Sequence, residues 1–453
     1  MIGHCGVINA AGVQRHAPTT GVHLSCSSQK WIPRGVCSTV ELCGSRISTH
    51  SVTSSRSCRT ATYPDFHPRA GSKTWAYPTE REGSIDVLGL VQAMIDFSVT
   101  LSEEATLTDI RVEKGARKLI SVEERAQILQ RLDAGSYKVA AGGSLSNTLV
   151  ALARLGSASE SDTGLKIAMA GLIGSDPLGS FYMAQMNSAG VNIISKPYES
   201  ANTGTVVVLT SSDAQRTMLS YLGTAAPVPV DAALEAAITR TSILVIEGYL
   251  WELPGAVETI SKAVDIARQH GVTVAMTAGD AGVVQRHGVE MWNLLAANKV
   301  DMLFTNTSEA VAIVSQKSAN DRCSAIKSDG TERVSSAEAA ALALGPYCSL
   351  VSVTDGSTGS VLTALGQLHV VPPHWAESAP VDTCGAGDAY AAGLLYSYLK
   401  GYDVQTMGRT AARTASAVIS RHGGSLNTEG AHSVVKALPA GANSMVASFP
   451  TVL

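Results

Sequence analysis

"PVDTCGAGDAYAAG", Pro380–Gly393, sets Gly385, Ala386 and Gly387 and one carboxylate, Asp388, at the head of an apolar run. Ala391, Leu394, Leu395 and Tyr398 follow at i, i+3, i+4 and i+7, the spacing of one helix face, and Gly401 is a natural stop. The first amides of a helix lack intrahelical acceptors, and here no bulky side chain covers them, so the turn is ready to receive an anion. Asp388 has two readings on these residues alone. A first-turn aspartate can simply complement the helix dipole, or it can be a general base beside an anion site, taking a proton where the amides hold developing charge.

Working outward, short apolar runs alternate with helical patterns from about Gly83 onward. "SIDVLGLVQAMID", "LKIAMAGLIG", "SILVIEGYL", "GVTVAMTAG", "VDMLFTN" and "CSLVSVTDG" have the continuous Val, Ile and Leu content of strands buried on both faces. Between them lie helical stretches such as "NTLVALARLG", "PLGSFYMAQMNSAG", "PGAVETISKAVDIARQHG" and "SSAEAAALALG". That order predicts an α/β fold, a doubly wound, mostly parallel sheet with helices on both faces. Residues 98–138 break the alternation, and "TGTVVVLTSSDAQRTMLSYLG" (203–223) reads as a hairpin turning at Ser211–Gln215. Together, segments 98–138 and 200–223 are expected to form a small β-rich lid, and residues 315–336 a polar surface loop.

The 453 residues are 45% hydrophobic and 16% charged, enough to bury a large core. The most apolar stretch, "TSILVIEGYLWELPGAV", carries Glu247, Glu252 and a proline, which argues against a spanning helix. From Met1 to Pro64 the one acidic residue is Glu41, against Arg15, Lys30, Arg34, Arg46, Arg56 and Arg59, amid recurrent Ser, Thr and Cys. This composition predicts an organelle transit peptide, plastid first and mitochondrion second, with a linker to about residue 80; an untargeted tail is the other reading. The remainder has 28 basic and 37 acidic residues, a charge of about −9, which gives no footprint for nucleic acid. Of eight cysteines only Cys323, Cys348 and Cys384 lie outside the leader, none in a C-x-x-C pair, so neither a disulfide framework nor a zinc site is expected.

Two further turns can face a ligand. In "GGSLSNTLVALARLG", Gly142 and Gly143 precede a helix capped by Ser144 or Ser146, with Asn147 in its first turn; a plain strand–helix connection explains the same residues. In "GLIGSDPLG", Asp176 is placed to cap the next helix.

Asp382, Thr383, Gly385, Ala386, Gly387 and Asp388 match the D-T-x-G-A-G-D signature of the ribokinase-like (PfkB) carbohydrate and nucleoside kinases, which the chain resembles from about residue 85 to 430. Asp96, "GGSLSN", "GLIGSDPLG", "NTSE" (Asn306–Glu309) and "TDGSTGS" resemble other landmarks of the family, in its order. The resemblance implies a three-layer kinase domain over 81–435, a tail over 436–453, and ATP and Mg²⁺ as reactants. It implies ATP along Asn306, Thr354, Gly356 and Gly359, its γ-phosphate on the amides of Gly385, Ala386 and Gly387, and Asp388 as base. Asp96, Gly142, Gly143 and Asn147 would hold the acceptor. Glu309 would hold Mg²⁺ directly or through water, although a glutamate serving the helix dipole is the ordinary reading. K⁺ beside the anion hole would contact Asp382. The lysine that follows the glycine pair in ribokinase itself is absent, which places the chain nearer the adenosine-kinase-like and sugar-kinase-like branch, with an unphosphorylated sugar or nucleoside as acceptor. Arg216 and Tyr221, on the lid hairpin, either face that acceptor or form a solvated strand face. Cys384 is expected to be a packed thiol.

Neither nucleic acid nor a membrane is expected as partner, and the lid leaves room for a homodimer. Two rival enzyme classes lack their motifs: no G-x-G-x-x-G follows the first strand, and no G-x-x-x-x-G-K-[ST] occurs. A kinase-fold structural subunit of a plastid assembly is the remaining alternative.

Overall fold

Val87, Leu88, Leu90 and Val91 are wholly buried although they alternate sides, because their strand runs through the middle of a sheet covered on both faces. The computed structural model describes residues 84–439 except 102–106, 109, 133–136, 159–163, 200, 212–214, 224–227, 322–335 and 376–379. The leader and linker expected over 1–80, and the tail beyond 439, lie outside the described residues.

In chain order the first half comprises β1 (Ile85–Gln92), β2 (Met94–Thr100), β3 (Arg117–Leu119), α1 (Val122–Arg131), β4 (Lys138–Gly142), α2 (Ser144–Ser157), β5 (Ile167–Leu172), α3 (Pro177–Ser188), β6 (Val191–Ile193), β7 (Gly204–Thr210) and β8 (Arg216–Tyr221). The second half comprises α4 (Ala232–Thr239), β9 (Thr241–Ile246), α5 (Ala256–Gln269), β10 (Thr273–Thr277), α6 (Ala281–Ala296), β11 (Met302–Asn306), α7 (Thr307–Asp321), α8 (Ala337–Leu344), β12 (Leu350–Thr354), β13 (Ser360–Ala364), β14 (Gln367–Val371), α9 (Ala386–Leu399), α10 (Val404–Ile419) and α11 (Thr428–Lys436).

Among the described residues, nine strands form the main sheet in the order β14-β13-β12-β11-β10-β9-β1-β5-β6. From β12 to β6 every pairing is parallel; β13 and β14 turn back antiparallel at one edge. β1 sits between β5 and β9, with Val87 opposite Ile167 on one side and Ile243 on the other. Val87 and Val91 enter a core with Leu149, Tyr182, Tyr390 and Met407, from α2, α3, α9 and α10. Leu88 and Leu90 enter the opposite core with Leu234, Ile260, Met291 and Ile313, from α4, α5, α6 and α7. Each such leucine contributes about 2 kcal/mol by burial. The fold is thus the expected doubly wound α/β sandwich.

The stretch read as one strand over 84–96 is two. The chain leaves the main sheet after Gln92 and enters the lid at Met94, so the lid sheet starts ahead of residue 98. Its order is β3-β8-β7-β2-β4, with β7 and β8 forming the hairpin read at 203–223. Its apolar residues, among them Ile95, Phe97, Val207 and Leu219, join Ile128 of α1 in the first core. The loop expected over 315–336 is helical as far as Asp321, and its remainder, 322–335, is not described. No helix among the described residues is long and apolar enough to cross a membrane.

Candidate active site

The C-terminal ends of β1, β9, β11 and β12 face the N-termini of α2, α7 and α9, the position where open α/β sheets place their ligands. Gly385 is the N-cap of α9, left-handed at φ 70°, with no side-chain cap. A Cβ there would overlap the carbonyl oxygen of Gly424, so only glycine lets the 423–425 loop close against this turn. At Gly387 the space is open. No backbone acceptor meets the amides of Gly385 and Gly387 among the described residues, and the Ala386 N–H has only a long contact, 3.4 Å, to Thr383 O. The turn presents donors to the cleft.

Asp388 occupies the third helical position of α9, yet its carboxylate is held from another helix. Ser144 Oγ donates to Oδ1 at 2.6 Å and Asn147 Nδ2 to Oδ2 at 3.2 Å. Ser425 Oγ donates to Asn147 Oδ1 at 2.9 Å, which turns the amide's donor end toward Asp388. Neither Ser144 nor Ser146 caps α2: the cap is Gly143 at φ 94°, without a side-chain bond, and Ser146 Oγ lies 2.6 Å from the Tyr182 hydroxyl. Asp176 does cap α3, accepting from Gly179 N at 2.8 Å. Burial pushes Asp388 up to about 6, against the two side-chain hydrogen bonds that favour its charged form.

Asp96, on β2, lies against Gly142, where a Cβ would overlap its carboxyl group. Burial first, then the nearby charge of Asp388, push Asp96 up to about 7, while the charge of Arg216 opposes them. Asp96, Gly142, Gly143, Asn147 and Asp388 therefore converge on one cleft.

Glu247 joins them unforeseen by sequence reading, which treats it only as a charge interrupting an apolar run. It follows β9, is 1% exposed, and accepts from Gln92 N at 2.5 Å and Leu145 N at 3.1 Å. Burial pushes it up to about 7, despite those two bonds. Its carboxylate ties the end of β1 to the first turn of α2, the turn that carries Ser144 and Asn147. A lone glutamate closing an otherwise apolar strand is the signal that could have found it, since a buried carboxylate needs partners.

At the C-terminal end of β11, Asn306 and Glu309 form a reciprocal cap of α7. Glu309 N donates to Asn306 Oδ1 at 2.9 Å, Asn306 N to Glu309 Oε2 at 2.9 Å, and Asn306 Nδ2 to Glu309 Oε1 at 2.6 Å. Burial pushes Glu309 up to about 7. Thr307 Oγ1 donates to Asp355 Oδ1 at 2.8 Å, and the Thr354 hydroxyl turns back to Thr305 O at 3.4 Å. Gly356 and Gly359, at φ 55° and 111°, shape the turn after β12. No group of three or more His, Cys, Asp or Glu side chains suited to a metal occurs among the described residues. Each Glu309 oxygen accepts one hydrogen bond from Asn306, so Glu309 would hold a Mg²⁺ more readily through water than directly.

Asp382 departs from expectation. Its Oδ1 accepts from Cys384 N at 2.9 Å and its Oδ2 from Gly423 N at 3.0 Å, and it is ion-paired with Arg216 of β8. The carboxylate assigned to K⁺ is thus filled by amides and a guanidinium and does not fit that ion. Arg216 faces the cleft, whereas the ring of Tyr221 lies 4.7 Å beneath Arg125 of α1. Cys384 is a free thiol that burial pushes up, away from nucleophilic use. A second lid arginine, Arg117 of β3, pairs with Asp280 and lies 4.2 Å over the Tyr249 ring.

Residues 116–430 match the pfkB family of carbohydrate kinases. A nucleoside kinase of Methanothermobacter thermautotrophicus is 26% identical over 304 residues, 65% of this chain and 83% of that one. A 5-dehydro-2-deoxygluconokinase of Bacillus velezensis is 23% identical over 347 residues, 75% of this chain and 97% of that one. The crystal structure of an adenosine kinase from Sinorhizobium meliloti superposes with a TM-score of 0.66 at 27% identity, covering 78% of this chain and 99% of that one. With its matched segment running from the lid through the turn at Gly385–Asp388, the chain belongs to the pfkB family of carbohydrate kinases.

Proposed function

We propose that the protein transfers the γ-phosphoryl group of ATP to a hydroxyl of an unphosphorylated sugar or nucleoside, with Asp388 as general base. The observation that carries this reading is the Asp388 carboxylate, held by Ser144 and Asn147 beside a turn of open amides. The acceptor oxygen attacks the γ-phosphorus as its proton passes to Asp388, and the bond from phosphorus to the ADP oxygen breaks. The amides of Gly385, Ala386 and Gly387 receive the charge on the phosphoryl oxygens. Asp96 orients the acceptor through a second hydroxyl, and the turn of Thr354, Gly356 and Gly359 seats the nucleotide. Mg²⁺, when bound, neutralises phosphate charge, with Glu309 placed to hold it through water.

Charge supports the choice of a neutral acceptor. Both lid arginines described at the cleft are already paired, Arg216 with Asp382 and Arg117 with Asp280, leaving neither dedicated to a phosphate on the acceptor. Plastid import through residues 1–64 completes the proposal.

The test is an ATP-consumption screen with Mg²⁺ against pentoses, hexoses, polyols and nucleosides. Turnover that vanishes in Asp388→Asn supports the reading. Silence across the panel with ATP still bound would favour the structural-subunit role.

A further inference from the structure

Asp382 lies three residues before Gly385, the start of the anion turn, and its carboxylate ties together three parts of the chain. One oxygen accepts the amide of Cys384, which leads into Gly385; the other accepts the amide of Gly423, beside the Gly424 carbonyl that packs on Gly385. Arg216 closes the arrangement from the lid, and the two side chains are only 18% and 15% exposed. The fork of donors on a guanidinium matches a carboxylate, and unlike a soluble ion this partner is covalently part of the chain.

We propose that Arg216 is the built-in monovalent cation of this enzyme, supplying next to the anion turn the positive charge otherwise taken from K⁺, so that ATP binding and turnover need no added monovalent metal. The inference rests on the kinase reading above. Arg216 is carried on β8, whose partner in the hairpin, β7, also pairs with the strand that bears Asp96. Charge at the phosphate site and the residue that orients the acceptor therefore belong to one sheet. Seating of the lid sets both at once, which an ion drawn from solution could not do.

The test uses the full chain with Mg²⁺, in chloride salts of K⁺, Na⁺ and tetramethylammonium at equal ionic strength. ATP binding is followed by calorimetry and turnover by ADP release. For the wild type, Kd for ATP and kcat should agree within about twofold across the three salts. Arg216→Ala should lose roughly tenfold in ATP affinity in tetramethylammonium and regain at least about threefold of it in K⁺. Arg216→Lys should remain indifferent to the salt. A wild-type affinity or rate raised saturably by K⁺, by more than about fivefold, overturns the inference, and so does unchanged ATP affinity in Arg216→Ala. Should the alanine variant fail to fold, the wild-type and lysine arms decide. Absence of ATP binding in every salt overturns the kinase reading and this inference with it; binding that requires K⁺ overturns this inference alone.

Discussion

Ser144 Oγ donates to Asp388 Oδ1 at 2.6 Å, joining the first turn of α2 to the first turn of α9. The two helices pack on the same face of the main sheet, one carrying residues proposed to meet the acceptor and the other the anion turn. The hydrogen bond fixes the proposed base between them. Because it favours the charged carboxylate, it offsets part of the burial that raises Asp388.

Asp388→Asn is therefore expected to keep the fold, since the amide oxygen can still accept from Ser144, while lowering kcat about 10³-fold. ATP affinity, read by calorimetry, should stay within roughly threefold, because the amides that hold phosphate are main-chain groups. Turnover within about tenfold of wild type would assign Asp388 to the helix dipole instead.

The pH profile carries the same logic. Asp388 works as a base when deprotonated, so kcat/KM should fall below about pH 6, the value to which burial raises it. Ser144→Ala removes a bond to the charged form, so the carboxyl group must rise further and the acid limb must move toward neutral pH. Stopped assays from pH 5 to 9 on both proteins would show the shift. A limb that stays in place or moves down contradicts the assignment.

Gly385 and Gly387 have different tasks in one turn. A methyl group at Gly385 meets the Gly424 carbonyl oxygen in a left-handed backbone, and Gly385→Ala should lose about 2 kcal/mol or more of stability in denaturant melts. At Gly387 there is room, so Gly387→Ala should melt like wild type while raising KM for ATP, because its methyl group enters the phosphate space. Equal stability losses in the two variants would contradict this division.

The residues that made the fold and the anion turn legible carry local physics. Runs such as Ile167–Leu172 are apolar because both faces are covered, and the glycines around Asp388 mark a turn that must stay bare. What escaped is decided by distant partners. Ser144 looks like a helix cap until α9 brings Asp388 to it. Gln92 and Met94 read as one strand because the step from main sheet to lid leaves no Gly or Pro signature. Asp382 looks available to an ion until the lid hairpin folds over and places Arg216 there. Asn306 and Glu309 are in part an exception, since a reciprocal cap is a local pattern that the family likeness overshadowed.

That cap gives a prediction for Mg²⁺. Glu309→Gln keeps an acceptor for Asn306 N but sets its NH₂ group against Asn306 Nδ2, and it removes the charge. The expected result is a modestly lowered melting temperature together with the Mg²⁺ concentration for half-maximal rate raised about tenfold. A melting temperature lowered with no change in Mg²⁺ dependence would leave Glu309 as a cap alone.

Glu247 tests whether the cleft depends on a buried carboxylate that no reactant need touch. Its two oxygens accept from Gln92 N and Leu145 N, both main-chain donors without freedom to turn away. Glu247→Gln has the same shape but replaces one acceptor by an NH₂ group, which must face an N–H and leave two buried donors opposed. Such a conflict costs about 1–3 kcal/mol. The loss should centre on the first turn of α2, where Leu145 lies between Ser144 and Asn147. kcat should then fall together with stability, while ATP affinity, which the proposed mechanism assigns to α9 and the turn after β12, stays near wild type. Hydrogen exchange should speed up at the start of α2 and leave the start of α9 unchanged. Loss of ATP binding with normal exchange in α2 would show that Glu247 acts on the nucleotide side instead.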